Sequence, residues 1–169
     1  MQTRAQYDLA KAFVNIFAGA FDRYGIWKGG NSYQSVKAPL TLDLINKHLA
    51  GTISLATVLI NKDNACKAGV IDFDDHHKKP EGYKFDYDSL QNKIKFFNLP
   101  LNVIKSKTGG AHAWLFLDRY YPAEWIRYKL KKFAYQLVGH TGVELFPKQN
   151  KVDDFGSLIN LPYYKGNSR

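Results

Sequence analysis

Cys66-Lys67-Ala68-Gly69-Val70-Ile71-Asp72-Phe73-Asp74 is an apolar run interrupted by two carboxylates. Its length and the β-branched residues at its centre predict a buried strand over 67–74. Side chains alternate across a strand, so Asp72 and Asp74 share one face. Two like charges about 6–7 Å apart along a strand lose hydration and repel each other unless a cation lies beside them. The pair therefore fits half of a metal site, while an isolated Asp-x-Asp also occurs in exposed turns and solvated strand ends.

After this strand the spacing predicts a polar loop and then a helix over about 87–98 with Leu90, Ile94 and Phe97 inward. A strand over 101–105, a glycine-rich turn and a strand over 111–117 follow. A helix opening at Pro122 carries Trp125, Ile126, Leu130, Phe133 and Leu137 and stops at Gly139, before a strand from Val143 to Phe146. The order β-α-β-β-α-β is the split βαβ unit of ferredoxin-like and RNA-recognition-type folds. Upstream, Leu9, Phe13, Phe17, Ala20 and Phe21 predict an amphipathic helix ending near Gly25. Thr41 can cap a short helix whose Leu42, Ile45 and Leu49 share a face and which stops at Gly51. Ser54 to Ile60 reads as a strand, with a turn at 61–64. The expected fold is α+β and a single domain: an N-terminal α/β module (1–65) packed against an RNA-recognition-like, ferredoxin-like catalytic module (66–169), with a cleft between them.

This topology bears directly on the carboxylates. In such a unit the first and third strands are antiparallel neighbours, and the fourth flanks the first. The end of strand 67–74 then lies beside the starts of the strands at 111 and 143, which brings Asp72, Asp74, His112 and Glu144 to one sheet edge. Asp72, Asp74 and Glu144 would place three hard oxygen donors around one point, an arrangement suited to two Mg2+ or Mn2+ ions in phosphoryl or nucleotidyl transfer. Asp75 points to the other face. A solvent-facing Glu144 on an edge strand is the plain alternative.

The turn Lys105-Ser106-Lys107-Thr108-Gly109-Gly110-Ala111-His112 offers donors and close backbone approach to an anion, and it is equally an ordinary tight hairpin. His112 alone would be a hydrogen-bonded core histidine; opposite the aspartates it becomes a site residue. Lys148, after Glu144, can meet a triphosphate or a template. His76-His77 with Cys66 has poor spacing for zinc and is taken as part of a basic loop. His48 and His140 are expected on helix and loop surfaces. Trp27, Tyr33, Tyr163 and Tyr164 are loop candidates for base stacking.

A formal net charge of +9, spread along the 169 residues, suggests a polyanionic partner with nucleic acid as the default; a basic surface without a specific partner is the alternative. The single cysteine, Cys66, excludes an intrachain disulfide and a multi-cysteine metal centre, and implies a reducing, cytoplasmic setting. No apolar stretch is long enough to span a bilayer, and Met1-Gln2-Thr3-Arg4 lacks the apolar core of a signal peptide, so no membrane partner is expected.

With Asp72-Phe73-Asp74, Ser106 through His112, and Glu144 with the run to Pro162 in that order, the chain resembles the catalytic core of the archaeo-eukaryotic primase (primase-polymerase) superfamily. It is most similar to the branch of conflict systems and CRISPR-associated primase-polymerases. Phrases typical of that branch recur at 16–19, 48–51, 71–74, 106–114, 146–149 and 158–162. The resemblance implies a metal-dependent, template-directed nucleotidyltransferase that adds nucleotides to a 3'-hydroxyl on single-stranded DNA, with de novo primer synthesis as an extension. It implies Asp72, Asp74 and Glu144 as ligands of two Mg2+ or Mn2+ ions. Ser106, Lys107, Gly110, His112, Lys148 and Asn160 are then the nucleotide-binding residues, with Lys105 a further phosphate or template contact. The implied partners are template and primer, nucleoside triphosphates, and an accessory primase C-terminal domain or CRISPR and conflict-system proteins. Two rivals use the same residues differently: a metal-dependent nuclease, and a non-catalytic RNA-recognition-type module, which would display aromatics rather than acids on its open face.

Overall fold

The computed structural model describes residues 3–166 except 18, 21, 31, 74–85, 107, 108 and 141. In chain order the elements are α1 (Arg4–Phe17), β1 (Tyr24–Gly29), β2 (Ser32–Val36), α2 (Leu42–Leu49), β3 (Leu55–Val58), β4 (Ala65–Asp72), α3 (Tyr87–Phe96), β5 (Asn102–Lys105), β6 (Ala111–Pro122), α4 (Ala123–Val138), β7 (Glu144–Phe146) and β8 (Leu158–Asn160). They form an α+β protein with two antiparallel four-stranded sheets, ordered β2-β1-β3-β8 and β5-β6-β4-β7.

Local chemistry explains the helix boundaries. The Thr41 hydroxyl accepts the Leu44 N–H at 3.3 Å, and the Asp86 carboxylate accepts the Ser89 N–H at 2.8 Å, each satisfying a donor the first helical turn leaves open. Gly139 ends α4 at φ 75°, a left-handed conformation that costs glycine little. Helix α1 stops at Phe17, well before the expected end near Gly25. There the chain is pulled onto β3: the Gly19 N–H donates to Thr57 Oγ1 at 3.2 Å and the Ala20 N–H to the Val58 carbonyl at 2.6 Å. A Cβ at position 19 would overlap the Val58 carbonyl, so glycine permits this approach.

The second sheet arises from the expected β-α-β-β-α-β order, and its middle strands are β4 and β6. Helix α4 packs on β4 through Ile126 and Leu130; a Cβ at Gly69 would come within 2.7 Å of Ile126 Cγ2 and 2.9 Å of Leu130 Cδ1. Gly69 and Ile71 thus face α4, and by alternation Val70 and Asp72 face the other way. On that other face Trp114 and Phe116 stack at 5.6 Å and 10°, and Phe17 of α1 meets both rings edge-on at 5.2 and 5.5 Å. Such aromatic edge contacts fix α1 across part of the open face.

Four strands differ from the sequence expectation. β1 and β2 pair as an antiparallel hairpin, so Trp27 and Tyr33 lie on strands and not in loops. Strand β6 runs on to Pro122, past 117, because Ala65 and Cys66 extend its pairing beyond a bulge. Strand β8 pairs with β3, so residues 158–160 complete the sheet that holds β1 to β3.

Candidate active site

Strand register brings three of the candidate residues side by side. Asp72 pairs directly with His112 on β6 and with Glu144 on β7, so Glu144, Asp72 and His112 form one cross-strand row on the face away from α4. Ile104 of β5 continues the row beyond His112. Asp72 and His112 are both buried, at 8% and 4% exposure, which takes an acidic and a basic side chain largely out of water together. His112 Nε2 lies 3.8 Å from Asp72 Oδ1, too long for a hydrogen bond but close enough for electrostatic coupling. Glu144 is more open, and Lys148 Nζ approaches its Oε2 at 3.0 Å. Asp74 and Lys107 lie outside the described residues.

The turn between β5 and β6 begins immediately beyond the His112 row. Ser106 closes it twice: its N–H donates to the Gly110 carbonyl at 2.9 Å, and its hydroxyl accepts the Gly110 N–H at 3.0 Å. Tyr87 pins the same turn from α3, its hydroxyl donating to the Gly110 carbonyl at 2.6 Å. Gly109 has φ +91°, the conformation that requires glycine there. Lys105 Nζ stands 5.0 Å over the Tyr87 ring. Ser106 and Gly110 are therefore tied to each other at the acidic end of the sheet.

Asn160 lies on the other sheet, where its Oδ1 accepts the Tyr33 hydroxyl at 2.6 Å. Burial pushes the Tyr33 phenol above its usual pKa, the Asn160 hydrogen bond pulls it back, and the negative charge of Asp72 adds to the rise. The Tyr33–Asn160 pair is thus within electrostatic reach of Asp72. Tyr33, expected in a loop, lies on β2; in a polar hairpin its only sequence signal is being aromatic. Tyr163 and Tyr164 serve packing. The first sits edge-on to Phe13 and Phe17, and the second donates its hydroxyl to the Gly51 carbonyl at 2.7 Å.

His48 is fully buried, not on a helix surface. Its Nδ1 accepts the Leu55 N–H at 3.1 Å, so its Nε2 carries the proton that is donated to the Pro162 carbonyl at 2.8 Å. The imidazole thereby ties α2 and β3 to the segment leaving β8. His140 stays exposed.

Among the described residues no group of three His, Cys, Asp or Glu side chains is placed to hold a metal. Asp72 and Glu144 nevertheless supply two neighbouring hard-oxygen donors, and a divalent cation would offset the cost of holding both charged. A cavity of about 1140 Å3 lies elsewhere, between α1, β5 and β6, and is lined by apolar side chains such as Leu9, Ile16, Ile104 and Leu117. It contains none of the acidic row. Cys66 is buried, and burial pushes its thiol up to about 12, which makes it an inert core residue. No helix among the described residues is long and apolar enough to cross a membrane.

The chain is thus an α+β protein whose second sheet aligns two carboxylates and a histidine across three adjacent strands. The chain belongs to the archaeo-eukaryotic primase domain family of TOTE conflict systems, whose model matches residues 11–169. This bears out the resemblance to the conflict-system branch and assigns the chain to the primase-polymerase superfamily, a nucleotidyltransferase type of enzyme. No curated protein matches the chain.

Proposed function

We infer that this chain is a metal-dependent, template-directed nucleotidyltransferase, a primase-polymerase core that extends a 3'-hydroxyl on single-stranded template. The observation that carries this reading is the row Glu144–Asp72–His112 on three adjacent strands. Asp72 and Glu144 would hold the divalent cations, Mg2+ or Mn2+, with Asp74 the third carboxylate. Such cations supply the positive charge that lowers the pKa of an attacking hydroxyl and neutralises a leaving pyrophosphate.

The remaining roles belong to the chain's own groups. His112, half of a buried pair with Asp72, is positioned to donate a hydrogen bond to a phosphate oxygen. The Ser106–Gly110 turn stands where backbone N–H groups could meet a triphosphate. Lys148 neutralises Glu144 and would have to yield to, or share it with, an incoming cation. Asn160 and Tyr33 would face the nucleotide sugar from the opposite sheet. The strand order β5-β6-β4-β7 supports the ferredoxin-like reading of residues 66 onward.

A nuclease would use the same carboxylates but would release no pyrophosphate from a nucleotide. The test is incorporation of labelled ribo- or deoxyribonucleotides on single-stranded DNA, primed and unprimed, with Mg2+ or Mn2+, and pyrophosphate measured in parallel. Asp72→Asn keeps the side-chain shape and should lower incorporation on the order of 10²-fold or more while far-ultraviolet circular dichroism stays unchanged. No product under any combination refutes the polymerase reading. Undiminished product from Asp72→Asn refutes the role of Asp72.

A further inference from the structure

The outer side of α4 carries Trp125, Tyr128, Lys132 and Tyr135, whose spacing puts them on one helical face. The inner side of the same helix, with Ile126, Leu130, Ala134 and Leu137, already supplies its core contacts. The outer aromatics are 38%, 52% and 63% exposed, so they do little for folding. Cations are interleaved with them. Lys129 Nζ is 5.2 Å from the Trp125 ring centroid and Lys132 Nζ is 4.7 Å from that of Tyr128. Tyr121, stacked on Trp125 at 4.8 Å and 20°, has the Arg119 guanidinium 5.3 Å over its ring.

The charge balance favours an anion. Among the described residues no ion pair engages Arg119, Lys129, Lys131 or Lys132, although Asp118 and Glu124 lie on the same stretch. Aromatic faces with cations between them that carry no carboxylate partner suit single-stranded nucleic acid, whose bases stack and whose phosphates seek cations. Among the described residues Arg119 hydrogen-bonds only the Tyr121 hydroxyl, at 3.2 Å. An acidic protein would engage the lysines without needing the rings. From Trp125 to Tyr135 the helix rises about 15 Å, the length of roughly four stacked nucleotides. This side is also distinct from the acidic row, since α4 covers the sheet face that bears Gly69 and Asp72 faces the opposite way.

We propose that the outer face of α4 is a second nucleic-acid contact, where Tyr128 and Tyr135 stack bases and Lys129, Lys131 and Lys132 pair phosphates of a single strand. The contact does not depend on the catalytic reading. Fluorescence anisotropy of labelled oligothymidylate and oligouridylate, with no nucleotide or divalent metal present, tests it. Tyr128→Ala/Tyr135→Ala should weaken binding at least about five-fold. Lys129→Gln/Lys131→Gln/Lys132→Gln should weaken it and flatten the slope of log affinity against log salt by about 2. The control Lys11→Gln/Lys37→Gln/Lys47→Gln removes the same formal charge from α1, the residue after β2 and α2, outside α4, and should have a smaller effect. A loss confined to one oligomer supports the surface and assigns it to that nucleic acid. Unchanged binding by the tyrosine variant, or an equal loss in the lysine control, overturns the proposal.

Discussion

His48→Phe isolates the contribution of one buried side chain to the placement of the candidate site. The substitution keeps an aromatic ring of similar size among Phe13 and Tyr164, whose centroids lie 6.1 and 5.7 Å from the imidazole. What it removes is an acceptor for the Leu55 N–H and a donor to the Pro162 carbonyl, both in buried residues. A buried polar group left without a partner costs about 1–3 kcal/mol, so the pair should cost about 2–6 kcal/mol. That is a large part of a typical stability of about 5–15 kcal/mol, and for a domain of this size it lowers Tm by about 4–24 °C. Urea and thermal unfolding followed by circular dichroism measure it. The loss should also reach the site, because Leu161 bonds Leu55 at 3.0 Å and follows directly on Asn160. Substrate KM should therefore rise at temperatures where the variant is still folded. Stability within about 0.5 kcal/mol of wild type would refute the reasoning, because a surface histidine behaves that way.

Two further outcomes follow from burial and charge. Tyr33→Phe removes the donor to Asn160 and should cost about 0.5–1.5 kcal/mol. Because the folded-state phenol is raised above the ordinary 10.0, the unfolded chain loses this proton first, so wild-type stability should fall as pH rises past 10. Tyr33→Phe should weaken that alkaline slope in pH-dependent unfolding; an unaltered slope would contradict the assigned cause. Cys66, with its thiol near 12, should resist iodoacetamide at pH 8 in the native protein and label rapidly in denaturant, as mass spectrometry would show. Fast native labelling would mean that the β4 core opens.

The parts of the fold legible in the sequence were those fixed by local periodicity. Leu90 and Ile94, Ile126 and Leu130, the Thr41 cap and the Gly139 stop each carry their signal within a few residues, and α2, α3 and α4 form where that signal lies. The alignment of Asp72 with His112 and Glu144 followed from one topological rule applied to that order. What stayed hidden depends on distant partners. The β1–β2 hairpin contains Gly29, Gly30, Ser32, Gln34 and Ser35, and lacks clean alternation because much of it faces solvent. Strand β8 has three residues and exists only through pairing with β3, about a hundred positions earlier. His48 looks like a surface residue on a short helix until Pro162 returns to cover it. Tyr33 gains its relation to Asn160 and Asp72 through the same long-range pairing.

The row Glu144–Asp72–His112 is held by main-chain register, which makes its vulnerability one of reading frame within the strand. Conservative changes at Val70 or Ile71 alter packing but leave the three residues abreast. Deleting one residue from β4 upstream of Asp72, with the pairing kept, would turn Asp72 toward α4 and offer Phe73 in its place. Variants of this domain should consequently tolerate length changes in their connections far better than in β4, β6 or β7, where a single step exchanges an acidic site for an apolar one.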